Sequence, residues 1–231
     1  MATVLPDKLA RIPLGLPTCG LVLLILVQRG WERLGTPDLW GEDGQIFLGQ
    51  ALSQGIHSLL TPMAGSYFTI ERLVMIGALR FVPLAWVPAV VCAACVVIFA
   101  AVASTITSRR YEWLIPSPAV RVLAACLLAL LPGLHEMLGN LCNLNWILFC
   151  WLAFVGLKDP SLPITKTEIA ISLLVAVSIG TTILLLPLFA WRIVFLLQQG
   201  RPTRDWAPGV VHFVVLAAFG VGLLLVAAGP R

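Results

Sequence analysis

Charged residues are scarce in this chain. Of its 231 residues, 11% are charged and 59% are hydrophobic, whereas a typical globular domain has about 25% charged residues. Water could not solvate a surface with so few charges. A bilayer can accept it, because the membrane core favours apolar side chains and a backbone that satisfies its own hydrogen bonds. The composition excludes an ordinary soluble domain and predicts an all-α, polytopic membrane protein with a single transmembrane domain, residues 1–231.

Long basic runs are lacking as well. The net charge is only +4, and the densest basic pair is Arg109-Arg110, which we interpret as the anchor of a loop. Proteins that bind nucleic acid usually carry longer basic tracts. We therefore expect no nucleic-acid partner.

The six cysteines have no histidine beside them, and all lie in apolar stretches. Cys92 and Cys95 have the C-x-x-C spacing of redox and metal sites. Their surroundings, Pro88 to Ile98, are apolar throughout. We interpret these cysteines as small apolar residues that pack between helices.

Apolar segments that could cross or enter a bilayer recur along the chain, where a full span needs about 20 residues. The first follows Lys8 and Arg11 and lacks a small-residue cleavage site, so we predict an uncleaved helix. We expect about seven segments, some of them short or re-entrant: Ile12–Gln28, Val82–Ile106, Ala119–Leu138 with a break near Pro132, Leu141–Leu157, Thr167–Ile179, Thr181–Leu197 and Val210–Ala228.

The stretch Thr167–Leu197 is longer than one span requires. We predict two short helices that turn at Gly180, because a single span would also place Arg192 and the basic residues after it outside. With the N-terminus in the cytoplasm, ten of the fifteen basic residues then lie inside: Lys8, Arg11, Arg109, Arg110, Arg121, Lys158, Lys166, Arg192, Arg201 and Arg204. This positive-inside bias predicts an external first loop.

Residues 29–66 form that first loop, the longest polar stretch of the chain. Within it, Gln45–Leu60 alternates apolar and polar positions at helical spacing, with Ile46, Phe47, Ala51, Leu52 and Ile56 on one side. This pattern predicts a helix that lies along the membrane interface. The mixed segment Tyr67–Phe81 is expected at or near the same surface.

Two adjacent carboxylates, Glu42 and Asp43, lie between two glycines of the first loop. Such a pair can share a divalent cation such as Mg²⁺ or Mn²⁺, or one member can act as a general base while the other orients it. The alternative is a solvated loop whose acids cap the following helix.

A second polar cluster lies at the junction of the third and fourth segments. Glu136, Asn140 and Asn143 share one face if the helix continues, and His135 and Asn145 lie beside them. Polar groups at membrane depth usually line a cavity or site, although a polar turn that caps two helices is the alternative. The pair Glu71-Arg72 is interpreted either as part of the same site or as a plain ion pair.

Five short stretches of the chain are Trp40-Gly-Glu-Asp-Gly-Gln-Ile-Phe-Leu, Pro62-Met-Ala-Gly-Ser-Tyr, Glu71-Arg-Leu, Glu136-Met-Leu-Gly-Asn and Asn143-Leu-Asn-Trp. They resemble stretches of bacterial multi-pass members of the GT-C superfamily of membrane glycosyltransferases. An uncleaved first helix, a long external loop with an acidic pair and many short spans are also similar. Such enzymes usually have more spans and often a soluble C-terminal domain. We therefore expect a fragment, a degenerate relative or a subunit.

The resemblance implies transfer of a sugar from a polyprenyl-phosphate carrier in the bacterial inner membrane to a glycan or lipid acceptor. By that likeness Asp43 is the base or metal ligand, with Glu42 beside it, and Arg72 is expected to meet the donor phosphate. Glu71, His135, Glu136, Asn140, Asn143 and Asn145 are the expected substrate-binding residues. A carrier or flippase for a lipid-linked or polar solute, and a non-catalytic membrane subunit, are the alternatives.

Overall fold

The computed structural model describes residues 14–133 and 136–227, with side chains through residue 222. Within these residues the protein is helical, and an isolated bridge between Met63 and Ser66 is the one piece of β pairing. The prediction of an all-α protein is confirmed. The N-terminal residues Lys8 and Arg11 and the candidate site residue His135 lie outside the described residues.

Ten α-helices follow one another along the described chain. They are α1 (Gly15–Arg29), α2 (Trp31–Gly35), α3 (Gly49–Gln54), α4 (Thr69–Phe81), α5 (Val87–Ser104), α6 (Pro118–Leu130), α7 (Leu144–Leu157), α8 (Lys166–Ser178), α9 (Leu186–Gln198) and α10 (Thr203–Ala227). A π-helix (Asp43–Leu48) precedes α3 and a 3₁₀-helix (Gly55–Leu60) follows it. Shorter 3₁₀ turns flank α5, and the turn Gly180–Leu185 precedes α9.

Capping residues in the local sequence explain where two of the helices begin. The Ser117 side chain accepts a hydrogen bond from the Val120 amide, and Pro118 occupies the first turn of α6, where its missing N–H is not needed. Thr165 and Glu168 form a reciprocal capping box at the start of α8. These caps fix where the two helices begin.

Among the described residues, three helices are long and apolar enough to cross a membrane: Leu84–Thr107, Gly180–Gln198 and Thr203–Gly222. Three shorter apolar helices, α1, α6 and α7, accompany them. The structure is therefore consistent with a membrane protein that has three candidate spans. The count of about seven membrane segments stays a prediction.

The predicted span Ala119–Leu138 is wrong at its C-terminal half. Helix α6 ends at Leu130, and Leu131 has an extended ψ of 138°, as expected for a residue before a proline, which disfavours the helical conformation. The break near Pro132 is thus confirmed, but the helix does not resume over residues 136–143, which form turns. Gly139 has a φ of 69° there, a left-handed conformation that suits glycine.

The predicted reversal near Gly180 is confirmed. Helix α8 ends at Ser178, and Ile179 is extended, with φ −129° and ψ 115°. Glu168 at the start of α8 accepts from Lys158 Nζ at 2.8 Å, and Arg192 in α9 donates to the Leu162 carbonyl at 3.2 Å. Both helices therefore meet the same loop, so the chain doubles back between them.

Contacts between distant residues define two ends of the helical bundle. At the first-loop end, Arg29 Nη1 donates to the Ala129 carbonyl at 2.7 Å, and the Phe68 amide donates to the Ser178 carbonyl at 3.0 Å. At the opposite end, the Asp159 amide donates to the Arg110 carbonyl at 2.9 Å. Between the ends lies an apolar core built from small and branched side chains such as those of Val91, Ala100, Ala125, Leu152 and Val175.

The predicted interfacial helix is helical but is divided into π, α and 3₁₀ pieces, with Gly55 at a φ of 58° between the last two. Phe47 and Ala51 are buried, whereas Leu52 is 61% and Ile56 57% exposed. Leu52 and Ile56 therefore do not share a buried side with Phe47 and Ala51. A π turn holds more residues than an α turn, so it shifts the register of the side chains that follow it. Its position at a membrane interface stays a prediction.

Candidate functional site

Asp43 joins the first loop to the second polar cluster. Its side chain is fully buried. Oδ2 accepts a hydrogen bond from the Leu141 amide at 2.7 Å, and Oδ1 accepts one from the Cys142 amide at 2.9 Å. These amides belong to the turn between α6 and α7. The two clusters recognised in the sequence therefore meet at the first-loop end, through a carboxylate and two backbone N–H groups.

Burial governs the protonation of Asp43. The pKa of this carboxyl is raised to about 6, mainly by burial and to a smaller extent by Glu42, against the opposing effect of the two amide donors. Arg33 acts in the opposite direction and lowers the pKa. A carboxyl with a pKa near 6 can both accept and release a proton close to neutral pH, as general bases require.

Glu71 is a buried acid without a hydrogen-bond partner. It lies in α4, which is not among the candidate spans, and it is fully buried. Neither Oε1 nor Oε2 has a partner among the described residues. The pKa of Glu71 is raised to about 8, mainly by burial, while its own backbone amide and the Arg72 charge act to lower it and the charge of Asp43 acts to raise it. At neutral pH Glu71 therefore holds a proton and is uncharged.

Arg72 does not pair with Glu71 through its guanidinium group. Its Nε donates to the Tyr67 carbonyl and its Nη2 to the Thr61 carbonyl, both at 2.8 Å, and its Nη1 donates to Gln50 Oε1. The interpretation of Glu71-Arg72 as a plain ion pair is wrong. Local sequence could not show this, because the three acceptors come from the loop that folds over α4.

The guanidinium group of Arg72 is also covered. The residue is 1% exposed, and its Cζ lies 5.3 Å from the centre of the Phe47 ring. In this structure Arg72 fastens the first loop to α4. Its predicted contact with a donor phosphate stays a prediction. The predicted position of Tyr67–Phe81 at or near the membrane surface also stays a prediction.

The cluster around residue 140 is held together by a turn. The expected common helical face of Glu136, Asn140 and Asn143 is wrong, because this stretch is not helical. The Asn143 amide donates to Asn140 Oδ1 at 3.1 Å, and Asn143 Nδ2 donates to the Glu136 carbonyl at 3.2 Å. Asn145 Oδ1 is buried without a partner among the described residues. The asparagines thus shape the turn whose amides hold Asp43.

Glu42 and Asp43 differ in their surroundings. Glu42 is exposed, and Asp43 is buried with both oxygens engaged by amides. Among the described residues, no group of three or more His, Cys, Asp and Glu side chains is arranged to hold a metal ion. The divalent cation stays a prediction, and no step below uses one.

A cavity of about 430 Å³ lies at the first-loop end. It was not predicted from the sequence. Its lining combines two basic and two acidic side chains with a hydroxyl and an apolar group: Arg29, Arg33, Glu32, Asp38, Thr36 and Leu138. The signal that could have found it is the pair of arginines one helical turn apart just after the first apolar helix.

Comparisons of the chain with protein-family models, with curated proteins and with solved structures found no match.

Proposed function

We propose that this chain is a glycosyltransferase-like protein that moves a sugar from a lipid-phosphate carrier to an external glycan or lipid acceptor. It would lie in a bacterial inner membrane with about seven membrane segments, a cytoplasmic N-terminus and an external first loop that carries an interfacial helix. The observation that supports this proposal is the clamp on Asp43 by the Leu141 and Cys142 amides. These two hydrogen bonds hold the Asp43 carboxyl in a fixed position at the first-loop end of the bundle.

In this reaction Asp43 accepts the proton of the acceptor hydroxyl. The hydroxyl oxygen forms a bond to the anomeric carbon of the sugar, the bond from that carbon to the phosphate oxygen breaks, and the lipid phosphate leaves with the bonding electrons. Two amide donors hold the carboxylate, so it keeps its position while it gains the proton. The pKa of about 6 suits this task at neutral pH.

Access to Asp43 requires movement. Its side chain has no exposed surface, so an acceptor reaches it only when the first loop or the turn at residues 136–143 moves aside. Closure of a loop over the reacting groups is a common way to exclude water from a glycosyl or phosphoryl donor. The buried state described here is then the closed state.

The test compares Asp43→Asn with Glu42→Gln in the full chain reconstituted in nanodiscs. A panel of polyprenyl-phosphate monosaccharides with a labelled sugar serves as donor, and membrane glycolipid extract as acceptor. Asp43→Asn keeps the shape of the side chain but cannot take the proton, so transfer should fall by about 10² to 10⁴. Glu42→Gln should be milder, because Glu42 is exposed. Full transfer by Asp43→Asn would remove the catalytic role.

A carrier or flippase is the second candidate, and Glu71 is the observation that favours it. A buried, uncharged carboxyl with no partner is a group that proton-coupled carriers load and unload. In proteoliposomes with an imposed pH gradient, solute movement that Glu71→Gln abolishes would favour the carrier. Transfer of labelled sugar without such movement would favour the glycosyltransferase.

A further inference from the structure

Asp43 does not line the cavity at the first-loop end, which is large enough for a small polar head group. Its volume of about 430 Å³ is within the usual range for small-molecule sites, roughly 300 to 1,000 Å³. Arg29 and Arg33 line it together with Glu32 and Asp38. Opposite charges in one concave site suit a ligand that has both an anionic group and hydroxyl donors.

In both arginines, one terminal nitrogen of the guanidinium group donates hydrogen bonds to backbone carbonyls. Arg29 Nη1 donates to the Ala129 carbonyl at 2.7 Å and to the Leu131 carbonyl at 3.1 Å. Arg33 Nη2 donates to the Asp38 carbonyl at 2.7 Å. The other terminal nitrogen of each group has no acceptor among the described residues. Each fork is thus oriented while part of it remains available to a ligand, which lowers the entropy lost on binding.

Arg33 is further positioned by an aromatic ring. Its Cζ lies 4.8 Å from the centre of the Trp40 ring, and its Nε is buried without a partner among the described residues. The Trp40 ring and the Asp38 carbonyl therefore hold the guanidinium group in one orientation beside the cavity.

The surroundings favour an anion carried by a lipid. Arg29 is the last residue of the apolar helix α1, and its acceptors lie at the end of the apolar helix α6. Exposed apolar side chains adjoin these groups, with Trp31 71%, Leu130 51% and Leu131 48% exposed. An acyl or polyprenyl chain can lie along these side chains while its head group enters the cavity.

We propose that the cavity beside Arg29 and Arg33 is a binding site for a phosphate group. The guanidinium groups donate to the phosphate oxygens, and Glu32 and Asp38 accept from hydroxyl groups next to the phosphate. This inference deepens the proposed function by placing the donor phosphate there instead of at Arg72, and it rests on that function for the choice of lipid in the test.

The test measures the thermal unfolding of the full chain in phosphatidylcholine nanodiscs. One arm adds a polyprenyl phosphate at increasing mole fraction, and the other adds inorganic phosphate without that lipid. A saturable rise in unfolding temperature reports binding to the folded state. Saturation in the lipid arm alone assigns the phosphate to a lipid, and saturation in both arms assigns it to free phosphate.

Matched variants separate the cavity from the rest of the protein. Arg29→Gln and Arg33→Gln should each weaken binding about tenfold or more, whereas Arg80→Gln should not, because Arg80 is exposed at the end of α4 and outside the cavity. Thr36→Trp fills the cavity from an exposed position, so it should block binding even where an arginine variant folds poorly.

The proposal is overturned if neither arm saturates, or if the cavity variants bind as well as Arg80→Gln. Its failure is distinguishable from that of the proposed function, because binding is measured without an acceptor. A chain that binds phosphate but transfers no sugar would retain the site and lose the reaction. A chain that transfers sugar, and whose arginine variants bind phosphate with unchanged affinity, would retain the reaction and lose this site.

Discussion

The two ends of the bundle differ in how completely their buried charged side chains are paired. At the end opposite the first loop, Lys158 Nζ donates to Glu168 Oε2 at 2.8 Å and to the Pro163 carbonyl at 2.7 Å. Arg110 also pairs with Glu168. Arg192, fully buried, donates to four backbone carbonyls. At this end each of these charges has at least one ion-pair or carbonyl partner, although the Nε atoms of Arg192 and Arg121 are buried without one among the described residues.

Several buried polar atoms at the first-loop end have no hydrogen-bond partner among the described residues. Glu71 has no partner for either oxygen, Asn145 lacks one for Oδ1 and Arg33 lacks one for Nε among the described residues. Unsatisfied buried polar groups lower stability, and they concentrate where a protein binds or reacts. Each buried charged side chain named at the opposite end keeps at least one partner, whereas the Glu71 carboxyl at the first-loop end has none among the described residues. This difference makes the first-loop end the better candidate for a binding or reaction site.

The two ends should lie on opposite sides of the membrane, which is the largest effect expected. Reporter fusions after Arg110, Lys158 and Arg204 should report cytoplasm, and a fusion within Thr36–Gln54 should report the outside, because positive charge is retained inside. Paired reporters that are active on one side or the other measure this directly. A cytoplasmic signal from the first loop would place the candidate site on the wrong face for an external acceptor.

The opposite end should depend strongly on its buried ion pair. Lys158 is 2% exposed, so Lys158→Met should lower the free energy of unfolding by about 3 kcal/mol, because it leaves the Glu168 carboxylate short of its buried partner. Arg110→Gln is the matched control, since Arg110 pairs with the same carboxylate from an exposed position. It should cost about 1 kcal/mol or less. Denaturant unfolding in detergent measures both, and equal losses would break the comparison.

The first-loop end should make stability fall as pH rises. The pKa of Glu71 is raised to about 8 in the folded protein from an ordinary value of 4.5. The folded state therefore binds more protons than the unfolded state between those values, and stability declines by up to about 1.4 kcal/mol per pH unit until pH passes 8. Asp43 adds a decline in stability of the same sign at lower pH, between its ordinary pKa of 3.8 and its pKa of about 6 in the folded protein.

Glu71→Gln should flatten that decline, since the amide stays uncharged at every pH. Glu42→Gln is the control, because Glu42 is exposed, and it should keep the wild-type slope. Unfolding temperatures at pH 5, 6, 7 and 8 are the measurement. A Glu71→Gln protein that loses stability with pH as steeply as the wild type would show that Glu71 is not the buried acid responsible.

Local patterns were enough to predict much of the fold. Apolar runs predict most of the helices, and the excess length of Thr167–Leu197 together with its basic residues predicts the reversal before Gly180. The π-helix at Asp43–Leu48 was not predictable, because its register depends on how the first loop packs on α4. The early end of α6 was signalled by Pro132, but the turn beyond it was not.

The candidate site was predicted in its residue types and only partly in its geometry. Sequence reasoning selected Asp43 and the cluster near Asn140 separately, and their meeting depends on contacts about 100 residues apart in sequence. The partners of Arg72 and the cavity beside Arg29 and Arg33 depend on the same long-range folding. Composition and spacing carry no information on such contacts, so these features had to come from the structure.

The pH dependence of sugar transfer tests the central claim most directly. If Asp43 is the base, transfer requires its ionised form, so the rate of the wild-type protein should rise with pH through an apparent pKa near 6 and then level off. The residual rate of Asp43→Asn should lack this rise. A wild-type rate that is flat between pH 5 and 8, or a rise that persists in Asp43→Asn, would contradict the account.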